Sequence, residues 1–425
     1  MSTLALLGGK PIRSTPFPTY NSIGSEEKRA VMEVMDTGVL SEFIASWNAN
    51  FFGGKKVQAL EAAWCDYFSV AHAVSLNSAT SGLYAAVGAA GVGPGDEVIV
   101  SPYTMSASAT AALIYGGIPV FADIDPHTFC LDPESIGRCI SPRTRAIIVV
   151  DLFGHPADMA KIMSLARDHG LVVIEDAAQA PGAKYQGRLA GTLADMGVYS
   201  LNYHKTIHCG EGGVVVTDNS RFAERLQLIR NHAEVVVKAK GEPDLVNMVG
   251  FNYRMTEIEA AIAAEQLKKL EALVQARVAA ADYLSERLQG RPGLTLPYVG
   301  PDTRHGYYLY VMKYDATATG ISRRLLAEAI RAEGVPLMEA YVEPIYLQPM
   351  YQQRTAFGNK GYPFSLAATA PSYEKGCCPV TERMYERELL FTNICHGSIA
   401  TPDVDDFTRA VDKVYQYRHE LAGRG

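Results

Sequence analysis

Between residues 70 and 220, short Val- and Ile-rich runs alternate with helical stretches, and this alternation limits the fold more than any other feature of the chain. The runs cover 73–76, 97–101, 120–122, 146–150, 172–175, 197–201 and 213–217, each bounded by Gly, Pro, Asp or Asn. They are apolar without strict alternation, as strands covered on both faces are. The helical stretches between them supply the crossovers that parallel strands need. The expected fold is therefore α/β, with a large domain built on a mostly parallel seven-stranded sheet. Gly212-Gly213, just before the last run, implies a tight turn.

From Met255 to Leu288 the pattern changes to one long helix, whose Ala-rich i,i+3/i+4 periodicity suits a segment leaving one domain for another. Gly290 and Pro292 end it. Short strand-like pieces and amphipathic helices beyond 295 predict a small α+β domain. We place the division at 1–275 and 276–425. Residues 340–378, rich in Pro, Tyr and Gln, read as loop, and loops of that length often carry function. Tyr341, Tyr346 and Tyr351 either line a substrate entrance there or simply pack, packing being the commoner role.

Composition excludes several classes. The net charge of -7 is spread along the chain without a basic run, which argues against nucleic acid as main partner. The N-terminal apolar stretch is too short for a secretory signal, and the most apolar window, 98–122, is broken by Pro102 and Pro119. Seven irregularly spaced cysteines make no disulfide framework, and adjacent Cys377-Cys378 lack metal-site spacing. A cytoplasmic protein with buried thiols and no metal is expected.

Three segments carry candidate chemistry. In VVIEDAAQAPGA (172–183) a buried strand ends at Asp176, and ligands of open α/β sheets bind at the carboxyl ends of strands. Asp176 could equally cap the following turn. In GVYSLNYHKTIHCGEGGVVVT (197–217) a strand runs into a loop holding Lys205, and a lysine kept neutral there can form a Schiff base with an aldehyde. A lone lysine is far more often solvated surface; here the strand, loop and glycines favour function. In the third segment, Asn77 to Gly82 open an Ala-rich helix, and a helix N-terminus offers free N–H groups to phosphate. Ser78 or Thr80 could also be a plain N-cap.

Taken together, these segments resemble the DegT/DnrJ/EryC1/StrS sugar-aminotransferase family of fold-type-I pyridoxal-phosphate (PLP) enzymes. The likeness runs through LGGKPIRSTPFP (7–18), FFGGKKVQALE (51–61), GVGPGDEVIVSPYT (91–104), EDAAQAPGA (175–183), YSLNYHKTIHCGEGG (199–213) and NYRMTEIEAAIAAEQL (252–267). The joint pattern EDxAQ, SxxxxK and GEGG is specific where each fragment alone is weak. The resemblance implies that Lys205 forms the Schiff base, Asp176 pairs with the pyridine N–H, and Gln179 lies beside the 3′-oxygen. It implies that Ser200 and the turn Ser78, Ala79 and Thr80 hold the phosphate, joined by Asn252 from the partner subunit of a homodimer with shared sites.

Two positions depart from the family pattern. Met105 stands where an aromatic usually stacks on the pyridine, and Ala79 replaces a glycine, which is unstrained only at negative φ. A simple N-cap of the long helix is the competing role for Asn252.

The retained lysine favours transamination, from glutamate or glutamine to a nucleotide-linked keto-sugar or a cyclitol such as an inosose. GGKPIRS (8–14) and CPVTERMYERELLF (378–391) lean towards the aminocyclitol branch. The alternatives are a PLP-dependent dehydratase or aromatising enzyme on the same scaffold, and a non-catalytic PLP-bound regulator. His204 and His208, four apart, lack a metal motif and are read as lining the cofactor loop; Glu211 is read as a structural turn acid.

Overall fold

The computed structural model describes residues 3–367 and 371–421. Its main sheet has seven strands: β1 (His72–Leu76), β2 (Glu97–Val100), β3 (Ile118–Phe121), β4 (Thr144–Val150), β5 (Val172–Asp176), β6 (Met196–Ser200) and β7 (Gly213–Thr217). The spatial order is β1-β7-β6-β5-β4-β2-β3. The pairs β2–β3, β2–β4, β4–β5 and β5–β6 are parallel, whereas β7 runs antiparallel to both β1 and β6. The run expected at 120–122 begins earlier, at Ile118, and includes Pro119. Its strand lies at the sheet edge, where a missing N–H costs no ladder bond.

Helices cover both faces, as the doubly apolar strands require. α1 (Ser25–Thr37) packs on the long helix Glu257–Leu288, α2 (Lys55–Phe68) covers one face of the sheet, and α3 (Ala79–Ala89) and α4 (Ala107–Ile114) cover the other; α5 (Pro133–Cys139) and α6 (Met159–His169) lie on the α2 face, and α7 (Ser220–Arg230) and α8 (Ala233–Lys240) on the α3 face. Helix α3 sits close to the sheet: a Cβ at Gly82 would lie 3.0 Å from both Val198 and Val215. Small residues at the start of α3 therefore set how near its N-terminus comes to the strand ends.

The long helix α9 spans Glu257–Leu288 and passes without a break through the expected division at 275–276. Beyond it, a four-stranded sheet (Leu294–Thr295, Tyr310–Tyr314, Leu389–Thr392, Met338–Glu339) packs with helices Arg323–Ala332 and Thr401–Gln416. This second core also contains Leu4, with Leu7, Ile12 and Phe17 against it. The chain's first segment thus packs with the C-terminal elements, a partnership that no local pattern announces. Of the expected loop at 340–378, the described residues 340–367 and 371–378 form a packed strap, in which Tyr346 and Tyr351 are fully buried. Tyr346 donates to Glu382 and both rings pack against Phe121, so these two tyrosines are core and not an entrance.

Candidate active site

The carboxyl ends of β2, β4, β5 and β6 converge on one cavity of about 190 Å³. Eight residues singled out from the sequence line it: Ser78, Ala79, Thr80, Met105, Asp176, Gln179, Ser200 and Lys205. Asn252 is not among the lining residues. It is exposed, and its backbone pairs with Asn231. It does not cap α9 either; Thr256 does, in a capping box with Glu259.

The α3 end of the cavity is built by close approach. Ser78 is the N-cap, and its hydroxyl accepts from the Ser81 N–H at 3.0 Å. The first-turn N–H groups have no intrahelical acceptor, so this end is electropositive. Ala79 is the first helical residue and is absent from the positive-φ positions, so replacing glycine here brings no strain. A Cβ at Gly213 would lie 2.6 Å from the Ala79 nitrogen. Glycine there is what lets β7 start against the helix N-terminus.

Asp176 ends β5 and is buried. Its Oδ2 accepts from the Ser108 hydroxyl at 2.8 Å and its Oδ1 from the Ala178 N–H at 3.2 Å. Burial pushes its carboxyl above the usual range, while Ser108, Ala178 and the Lys205 ammonium pull it back. Lys205 is also buried, with its Nζ 4.6 Å from the centre of the Tyr308 ring. Burial lowers its ammonium to about 8 against the opposing pull of Asp176.

Gln179 is held from both sides: its Oε1 accepts from the Phe153 N–H at 2.8 Å and its Nε2 donates to the Tyr341 hydroxyl at 3.2 Å. Phe153 reaches it in the left-handed region, at φ 60°, a conformation that a buried non-glycine residue keeps only when its surroundings enforce it. Ser200 ends β6, and its hydroxyl accepts from the Asn202 N–H at 3.3 Å. Met105 is 57% exposed at the cavity's open side. Its sulfur accepts from the Ala107 N–H at 3.0 Å, which fixes the side chain over the mouth.

Several lining or adjoining groups were missed or only partly read from the sequence. Ser108 aligns Asp176 from the first turn of α4. Asn202 donates to Glu211 at 2.8 Å and leaves its own buried Oδ1 without a partner among the described residues. Glu211 thus lines the cavity besides shaping the turn. His204 lines it as well, whereas His208 does not. Tyr308 and Tyr341 arrive from elements more than a hundred residues downstream, so spacing could not have placed them beside Lys205 and Gln179.

The model of the DegT/DnrJ/EryC1/StrS aminotransferase family matches residues 22–391. The chain belongs to that family. It is 35% identical to the GDP-perosamine synthase of Caulobacter vibrioides over 331 residues, covering 77% of this chain and 85% of the relative. It is 32% identical to the L-glutamine:2-deoxy-scyllo-inosose aminotransferase of Streptomyces kanamyceticus over 99% of both chains. Among solved structures, the aminotransferase from Psychrobacter cryohalolentis superposes with a TM-score of 0.82 at 27% identity, covering 95% of this chain and all (100%) of that one. The chain is accordingly an aminotransferase of a PLP-dependent family, on the α/β fold that these proteins share. Among the described residues no helix is long and apolar enough to cross a membrane.

Proposed function

We propose that this aminotransferase moves an amino group from glutamate or glutamine to a keto-sugar, with PLP held in the cavity at Lys205. The observation that carries the reading is the meeting of one buried amine, one buried carboxylate and a helix N-terminus on a single cavity. These suit the three parts of the cofactor. The start of α3 and the Ser200 hydroxyl suit a phosphate. Asp176, its oxygens aligned by Ser108 and Ala178, suits a protonated ring nitrogen. Lys205, brought to about 8, keeps roughly a tenth of its amine neutral at pH 7, where an ordinary lysine keeps well under a hundredth.

When bound, PLP supplies the electron sink that makes a Cα proton removable. Asp176 holds a proton at the ring nitrogen and so keeps that sink effective. Lys205 takes the Cα proton and returns it, as general base and then acid. Gln179, clamped by Phe153 and Tyr341, would hold the ring's oxygen substituent, and Met105 would offer its polarizable sulfur to the ring. Ser78, Ala79 and Thr80 receive the phosphate.

Asn252 fits a site shared between two copies. It is exposed, and the segment before it presents Val235, Leu245, Val246 and Val249 to solvent. A second copy seated there would cover this apolar surface, and a twofold contact would create two equivalent sites. Gly250, read from the sequence as a sharp turn, instead positions the segment by close approach: its φ is not positive, and a Cβ there would lie 2.1 Å from the Ala233 nitrogen. The seven free cysteines accord with a cytoplasmic setting.

For the acceptor we favour an inosose-type cyclitol. GGKPIRS and CPVTERMYERELLF resemble the aminocyclitol branch, and the inosose aminotransferase matches over nearly the full length. Neither segment touches the cavity. Ile12 donates to Glu333 and Arg13 pairs with Asp403, while Val380 and Thr381 donate to Asp123. The test is a panel of inososes and nucleotide-linked keto-sugars, each offered with glutamate and with glutamine, with the aminated product read by mass. Amination of a cyclitol ketone is expected. Turnover confined to nucleotide-linked ketones would overturn the cyclitol reading, and elimination without amination would overturn the transaminase assignment.

A further inference from the structure

The ends of β4 and β5 bring three carboxyl groups together: Asp151, Glu175 and Asp176. Asp176 faces the cavity. Asp151 and Glu175 do not line it, and both are fully buried. One oxygen of each is satisfied, since Asp151 Oδ1 accepts from the Ala157 N–H and Glu175 Oε2 from the Leu193 N–H, both at 2.9 Å. The other oxygens, Asp151 Oδ2 and Glu175 Oε1, are buried and receive no donor from the described residues. The two carboxyls are hydrogen-bonding neighbours. Two carboxylates offer only acceptors, so neither can satisfy the other while both are ionised. A single proton between them removes both orphaned acceptors and one of two like charges at once.

We propose that Asp151 and Glu175 share one proton at working pH and act as a positioning pair that limits the negative charge behind Asp176. This rests on the reading of Asp176 as the partner of the cofactor's ring nitrogen. Burial acts in the same direction, pushing both carboxyls upward, with the Glu175 charge adding to the effect on Asp151. The Gly191 and Leu193 N–H groups pull Glu175 back in part, and the remaining surroundings offer little compensation. Arg188 acts on Glu175 through space, the Tyr199 hydroxyl is committed to the Ala190 carbonyl at 2.7 Å, and Asp176 adds a further negative charge. With both members ionised, Asp176 would face two full charges and would itself be driven to take up a proton, losing the charge its role requires. The pair is also tied to Asp176 mechanically, because the Asp151 N–H donates to the Asp176 carbonyl at 3.1 Å.

Infrared spectroscopy of the cofactor-free protein at pH 8 tests the shared proton directly. The wild type should show the carbonyl stretch of a protonated carboxylic acid, shifted in D2O. Asp151→Asn and Glu175→Gln should each lose it, because the amide N–H takes the proton's place while the fold is kept. Asp176→Asn should retain it, a check that depends on neither member of the pair. No band in the wild type, a band surviving in both single variants, or a band lost in Asp176→Asn would overturn the proposal. In the holoenzyme, the pH midpoint of the cofactor's absorbance should stay put in each single variant, since the pair still carries one charge. It should move to lower pH in the doubly neutral variant, and an unmoved midpoint there would refute the positioning role. The infrared measurement uses no cofactor, so its outcome is independent of whether PLP binds.

Discussion

Replacing Asp176 by Asn removes a charge and keeps the shape, which makes it the sharpest test of the site. The side chain is 5% exposed, with Ser108 on one oxygen and Ala178 on the other. An amide keeps an oxygen for Ala178, and its NH2 can donate to the Ser108 hydroxyl, which is both donor and acceptor. The fold should survive. Burial raises the carboxyl above its ordinary value despite Ser108, Ala178 and Lys205. A folded-state pKa above the unfolded one contributes stability below the unfolded value that is lost as pH rises. Ionised Asp176 is thus a cost to the cofactor-free protein at neutral pH. The Asn variant should melt at the same or a higher temperature at pH 7, with the difference vanishing below about pH 4. Loss of a charged hydrogen bond costs about 1.5–3 kcal/mol, so kcat should fall about 10- to 150-fold if the interaction acts in the transition state. Without its counter-charge the Lys205 amine drops below about 8, so cofactor loading at pH 7 should be at least as fast. Loading followed by absorbance should therefore hold or quicken while turnover measured with saturating donor falls. Wild-type kcat, or a folded variant that cannot load PLP, would refute the reasoning.

Borohydride reduction of the loaded enzyme should fix the cofactor on Lys205, as read by peptide mapping, and Lys205→Ala should abolish turnover with the fold intact; an adduct on Lys184 would move the site. Met105→Phe should retain PLP with equal or tighter affinity by equilibrium titration, because the side chain sits at the open side where a ring has room; complete loss of PLP would show that this position does not cover the cofactor. Mixing inactive Lys205→Ala with an Asn252→Ala variant should regain activity, since one site of the heterodimer draws both residues from unmutated copies; full activity of Asn252→Ala alone would end the shared-site proposal. Against the cost of burial, Lys269 at 2.6 Å, the Gly24 N–H at 2.6 Å and Gln266 at 2.7 Å hold Glu27 at about 2. Glu27→Gln should therefore destabilise the protein by up to about 3 kcal/mol at pH 7 in urea titrations. That deficit should shrink as pH falls below 4.5, and a pH-independent deficit would assign the loss to packing instead.

The order of elements along the chain fixed much of the architecture. Val- and Ile-rich runs between helical stretches can bury both faces only as a covered, mostly parallel sheet, and its strands form where those runs lie. The same local logic pointed to Asp176, Lys205 and the α3 turn, and the family resemblance added Gln179 and Ser200; each sits at or just beyond the end of a strand, and the ends of parallel strands point the same way. Ser108 and Tyr308 were illegible, and Tyr341 was legible only as one of three tyrosines in a long loop, because they meet Asp176, Lys205 and Gln179 from segments remote in the chain, through contacts that no spacing encodes. Packing also decided against the tyrosines of the strap, since Tyr346 and Tyr351 are swallowed by the core around Phe121, and it joined Leu4 to a C-terminal cluster nearly the whole chain away. By itself the sequence pointed to the groups proposed to carry the chemistry. Only the tertiary structure decided how they are charged, because the neutral fraction of Lys205 and the orphaned oxygens of Asp151 and Glu175 come from burial, which depends on every segment that closes over them.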